Sequence, residues 1–198
     1  ENQRAVRILA YNNTELTPEN IDRMKAVDEE VQRAFKNMTP AVTLEMIRKG
    51  IQPLDMTAAE LNAVAEEIKA ELGHEDTERF NKYLWKLEQN HQITEEERSS
   101  YIGIYRLIAQ VEKSDGAALG AVINQGGDMT MRNLLTAIRS QKKGKMDYSV
   151  DDDFAGVEGK EEGPKIDSQI MAAYSLNCVK DVMDMITPDK AQIMAAND

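Results

Sequence analysis

Apolar residues recur at helical spacing along most of the chain. One stripe runs Ile21, Met24, Val27, Val31, Ala34, Phe35, and a second runs Tyr101, Ile104, Tyr105, Ile108, Val111. Leu61, Val64, Ile68, Leu72 make a third, and Phe80, Tyr83, Leu84, Leu87 a fourth. Steps of three and four place each set on one face of a helix, so each predicts a helix with one buried side. Punctuation sets the limits. Thr17-Pro18, Thr39-Pro40 and Thr187-Pro188 each put a hydroxyl at the N-cap and a proline at the first helical position. Thr57 and Thr94 read as caps too, and Glu97 completes a capping box with Thr94. Gly50 and Gly73 fall where C-terminal caps belong. The pattern predicts an all-α chain with helices near 2–11, 18–37, 40–49, 57–72, 76–90, 95–113, 116–125, 130–142 and 166–186. The one alternating stretch, Met146 to Val150, is too short to predict a strand.

A repeat lies under these helices. Asn13, Leu16, Thr17, Glu19 and Met24 match Asn90, Ile93, Thr94, Glu96 and Tyr101, and Val27 and Val31 match Ile104 and Ile108, all at an offset of 77. Ile47 and Gly50 match Ile123 and Gly126, and Asp55-Met56-Thr57 matches Asp128-Met129-Thr130, with the indels in loops. A third start, Thr187-Pro188 with Met194, echoes Thr17-Pro18 with Met24. The expected architecture is therefore a helical bundle or array of two related multi-helix units. The first spans 1–93 and the second 94–145. An acidic, Gly-rich loop follows over 146–165, and 166–198 holds a C-terminal helix and the start of a third unit. The missing initiator Met and the third start suggest a longer parent chain.

Composition narrows the functional classes. Of 198 residues, 30% are charged and 41% hydrophobic, which suits a globular chain, and aromatics at 5% favour helix over sheet. A net charge of −11 opposes nucleic-acid binding, which needs a basic face, and opposes adsorption to anionic lipid. No apolar run approaches the roughly 20 residues of a membrane span, and there is no signal segment, so what slight preference the sequence gives is for a cytoplasmic location. Cys178 stands alone, so no intramolecular disulfide forms. It sits on the stripe Ile170, Tyr174, Cys178, Val182, where a core role outweighs a nucleophilic one.

Candidate chemistry is sparse. The glycines of Ile123 to Leu135 suggest a phosphate loop, but no Lys follows Gly127, and the matching joint reads Ile51-Gln52-Pro53. A joint between helices fits both copies; a phosphate cradle fits one at most. Asp151, Asp153, Gly156 and Glu162 hold positions 1, 3, 6 and 12 of a calcium loop. Ala155 and Glu158 break the pattern, and Gly163-Pro164 stops the exit helix, so Asp151, Asp153 and Glu162 remain a weak metal candidate. His74 and His91 lack a second His at helical spacing for zinc. Runs such as Glu95-Glu96-Glu97 complement a helix N-terminus, and Arg139, Lys142, Lys143 and Lys145 suit a helix C-terminus or, as a second reading, an anion. Met171, Met183, Met185 and Met194 form a candidate interaction surface, either for a partner helix or for the next unit of the array. No catalytic residue and no cofactor is indicated.

The stretch ERSSYIGIYRLIAQVEKSDGAALGAVINQGGDMTMRNLLTAIR, Glu97 to Arg139, followed by MDYSVDDDF, resembles a family of long, uncharacterised helical proteins from clostridia and related Gram-positive anaerobes. The resemblance is densest over Glu97 to Phe154. It implies helical repeats and carries no activity, cofactor or catalytic residue. The function expected is a non-enzymatic helical-repeat module that binds or scaffolds an unidentified protein partner. Two alternatives stand beside it: an enzyme or small-ligand binder with a pocket between helices, and a regulatory domain of a larger flagellar or cell-surface protein.

Overall fold

A computed structural model describes residues 2–73, 78–142 and 165–185. Among these the chain is all-helical, in the order α1 (Asn2–Tyr11), α2 (Pro18–Asn37), α3 (Pro40–Arg48), α4 (Ala58–Leu72), α5 (Phe80–Gln89), α6 (Glu95–Lys113), α7 (Ala117–Asn124), α8 (Met131–Lys142) and α9 (Ile166–Met185). The Met146–Val150 stretch and the calcium-loop candidates Asp151, Asp153 and Glu162 lie outside the described residues, as do Thr187-Pro188 and Met194.

Side-chain caps fix the helix starts. Thr17, Thr39, Thr57 and Thr94 each accept a hydrogen bond from the backbone N–H three residues on, which satisfies one of the donors that a first turn leaves open. The box at Thr94 with Glu97 is present, and Thr57 with Glu60 makes a second. The backbone N–H of Thr57 holds the Glu60 carboxylate below its ordinary range. Where α1 and α5 end, Asn13 and His91 take left-handed backbone at φ 52° and 53°. The matched caps Thr17 and Thr94 follow at distances of four and three residues, so the second joint is one residue tighter.

The apolar stripes converge on one core. Val31 and Phe35 of α2, Met46 and Ile47 of α3, Leu61 and Ile68 of α4 and Tyr101, Ile104 and Leu107 of α6 are all buried in it. Tyr101 is enclosed because its hydroxyl donates to the Phe80 carbonyl at 3.1 Å while its ring meets Phe80 at 5.3 Å. A smaller cluster of Ala5, Ile8, Leu9 and Met24 seats α1 on α2.

The joints before α4 and α8 are built alike. Gly50 and Gly126 stand at φ 68° and 67°, where a side chain would be strained. Each closes its helix with the same pair of bonds: Gly50 N–H to Ile47 and Ile51 N–H to Met46, then Gly126 N–H to Ile123 and Gly127 N–H to Val122. Thr130 accepts from Asn133 N–H at 3.2 Å, as Thr57 does from Glu60. The two joints lie against each other, and Thr57 and Thr130 form an antiparallel bridge. Ala58 N–H donates to the Met129 carbonyl at 3.0 Å, and Met131 N–H to the Met56 carbonyl at 3.3 Å.

Further contacts come in matching pairs. α1 meets α7 while α5 meets α3, and α2 meets α7 while α6 meets α3. The Asn124 side chain at the end of α7 donates to the Asn12 carbonyl at 3.2 Å, and Arg48 at the end of α3 donates to the Gln92 carbonyl at 2.6 Å.

Candidate functional site

Two features stand out: a groove on α6 that receives α9, and an open cavity beside α2. In the first, α9 lies along α6, the most extensive helix pairing in the described fold. Residues that keep small side chains on one face of α6 make room for it. Ser100 is fully buried; its hydroxyl shares its proton between the carbonyls of Gln169, at 3.1 Å, and Ile170, at 3.0 Å, and accepts from Ala173 N–H at 3.1 Å. One turn on, Gly103 lets α9 approach closely. A Cβ there would stand 2.8 Å from Ile170 Cγ1 and 2.9 Å from the Ile170 backbone nitrogen.

Polar groups fix the N-terminal end of α9. Arg106 donates to the Gln169 amide oxygen at 3.2 Å, and Arg139 of α8 donates to Asp167 in the first turn of α9 at 2.8 Å. An acid in the first turn suits the positive end of the helix. The hydrogen bond from Arg139 holds the Asp167 carboxyl below its ordinary range. On the far side Tyr174 donates to the Ile51 carbonyl at 2.8 Å, and burial raises its hydroxyl pKa.

The cavity, of about 710 Å³, lies between α1, α2, α6 and α7. Buried Val31, Phe35, Val111 and Leu119 form its floor, and Arg4, Asp28, Gln32, Arg33, Lys36 and Glu112 its walls. Arg4 grips Asp28 through two nitrogens, at 2.7 and 3.1 Å, and also reaches Asp115, so its charge is already balanced. Glu112 is exposed as a residue, but desolvation of its carboxyl against the cavity wall raises it above its ordinary range.

Of the proposed Met surface, the structure places Met171 half-buried against the core, where its sulfur accepts from the Gln52 amide at 2.8 Å. Met183 and Met185 lie in α9, with side chains outside the described residues, as is that of Cys178. Arg139 stands in the last turn of α8, and it also ties α8 to α9. The groove was not legible in advance, because Ser100 and Gly103 meet residues about 70 positions away. Exposed Tyr11, Leu16, Trp85 and Leu176 are scattered over several elements.

Fold and site together define an all-helical protein with a helix seated in a groove of its own, and among the described residues no helix is long and apolar enough to cross a membrane. The family of unknown function DUF6240 matches residues 1–135, and the chain belongs to it. No curated protein and no solved structure matches. The match ends within α8, so α9 lies beyond it.

Proposed function

We propose that the chain is a non-enzymatic scaffold that works through protein–protein contact, built from two related four-helix units, α1–α4 and α5–α8. The observation that carries the reading is the groove on α6, which receives the first half of α9 through apolar, backbone and charged contacts, the chemistry of helix-in-groove recognition. The matching joints and paired contacts support two units that close on each other instead of stacking into an open array. In this reading α5 opens the second unit, as α1 opens the first. The test is capture from a lysate of the native host on the immobilised chain. The reading predicts one stoichiometric protein that rebinds when purified; retention no greater than on an unrelated acidic helical protein contradicts it.

The cavity favours a second reading, a small-ligand binder. Glu112 keeps a partly desolvated carboxyl in a wall that also carries Arg33 and Lys36. A metabolite that raises the melting temperature, with the effect lost in Phe35→Ala, would support it. A flat response across a broad panel contradicts it.

A further inference from the structure

The helices α2 and α6 share their apolar stripe and their capping pattern but differ on one face. At the 77-residue offset, Ser100, Gly103 and Arg106 of α6 correspond to Arg23, Ala26 and Glu29 of α2. All three α2 residues are exposed to water, whereas the α6 residues hold α9. The second unit is therefore specialised at this face to receive a helix.

The groove also has a polarity. Its Arg139 end is basic: Arg139 binds Asp167, and Arg132 on the same helix is close enough to feel the Asp167 charge. Farther along, Ile170 lies over Gly103, and the Ala173 N–H donates to the Ser100 hydroxyl. Ile170, Ala173 and Tyr174 seat α9 in the core, while Asp167, Gln169, the Tyr174 hydroxyl and the Met171 sulfur add polar contacts that water can take over on release.

Building on the scaffold reading, we propose that this groove is the docking site for a helix from another protein, and that α9 is the intramolecular occupant it displaces. The partner helix has the α9 pattern: an acid in its first turn for Arg139, a branched apolar residue three positions on for the Gly103 notch, and alanine after three more for Ser100. Because α9 is tethered, it competes at an effective concentration on the order of millimolar. Strong docking thus needs either a better-fitting helix or a weakened α9.

The test uses the full chain and a fluorescein-labelled peptide spanning residues 166–185, followed by anisotropy. Wild-type chain binds the peptide weakly, since the groove is filled. Asp167→Lys in the chain weakens the tethered helix, and peptide affinity rises at least about tenfold. Adding Gly103→Leu removes that gain. A charge-swapped pair supplies the second arm: chain carrying Arg139→Glu binds peptide carrying Asp167→Lys and rejects the unaltered peptide. Asp167 and Arg139 are both partly exposed, so the helical circular dichroism of these variants stays native. Failure of both weakened chains to bind, with native dichroism, overturns the proposal and makes α9 a fixed part of the body. Binding that survives Gly103→Leu also overturns it, because the peptide then sits elsewhere. Either result leaves the scaffold reading to be decided by lysate capture, whereas peptide exchange without any captured partner contradicts both the scaffold reading and the outside helix, and leaves α9 as an exchangeable helix of the chain itself.

Discussion

Thr57 and Thr130 face each other as an antiparallel bridge that joins the segment before α4 to the segment before α8. Each stands at the start of a helix, and the amide after each donates to the residue before the other: Ala58 to Met129 and Met131 to Met56. First-turn amides ordinarily lack a partner within their own helix. Here each joint supplies the acceptors for the other. Arg132 extends the seam on one side, with its N–H on the Leu54 carbonyl at 2.8 Å and its guanidinium on Asp55. The matching position in the first joint is Ala59, so that ion pair has no counterpart.

The seam predicts a hydrogen-exchange pattern. The Ala58 and Met131 amides, though first-turn amides, exchange as slowly as the core of α4 and α6. The amide of Glu19, in the first turn of α2, exchanges fast. Equal rates for all three, measured by NMR, would mean that the joints do not hold together in solution.

Thr43 lies wholly buried in α3, and its hydroxyl has no hydrogen-bond partner among the described residues. A buried unpaired hydroxyl costs about 1–3 kcal/mol. Thr43→Val keeps the shape and removes that cost, so it should raise stability to urea by about 1 kcal/mol or more. A loss of stability would show that the hydroxyl has a partner.

Glu112 gives a pH signature. Partial desolvation of its carboxyl raises its folded-state pKa above the unfolded value, so the folded protein favours the neutral acid. Its contribution is fully present below the unfolded pKa of about 4.3 and is lost as pH rises through the folded pKa. Glu112→Gln therefore raises the melting temperature at pH 7, and the difference vanishes toward pH 4. A difference independent of pH would assign the effect to packing.

At Gly103 two effects oppose each other. In an open helix Gly→Ala gains about 1 kcal/mol of propensity. In α6 the new methyl meets the Ile170 backbone nitrogen at 2.9 Å, and backbone cannot step aside as a side-chain tip can. Overpacking of this kind costs about 1–3 kcal/mol, so Gly103→Ala is expected to be net destabilising in urea denaturation. A stabilised variant would mean that α9 sits farther from α6.

The helices themselves were written plainly in the sequence. Threonine caps, first-turn prolines and three-and-four spacing act within a few residues, and they place α2 and α6 at the observed limits. The box at Thr57 is equally local, since Glu60 stands three residues on. The groove was hidden for a different reason. Ser100 and Gly103 sit in the apolar run around Tyr101, and only a partner from the far end of the chain distinguishes a helix seat from plain core. Likewise Arg139 looked like a cation at the end of a helix until Asp167 was brought beside it. The cavity is assembled from four helices, and no local pattern announces such a meeting.

The measurement closest to the central claim is native-state hydrogen exchange of α9 relative to α6. If α9 is a docked helix, the amides of residues 170–176 open together, with a lower free energy than those of residues 101–111, while α6 stays protected. The gap should widen in Asp167→Lys, which leaves the α6 core untouched. If residues 170–176 instead exchange only by global unfolding, with the same free energy and urea dependence as α6, α9 belongs permanently to the core and the docking account is contradicted.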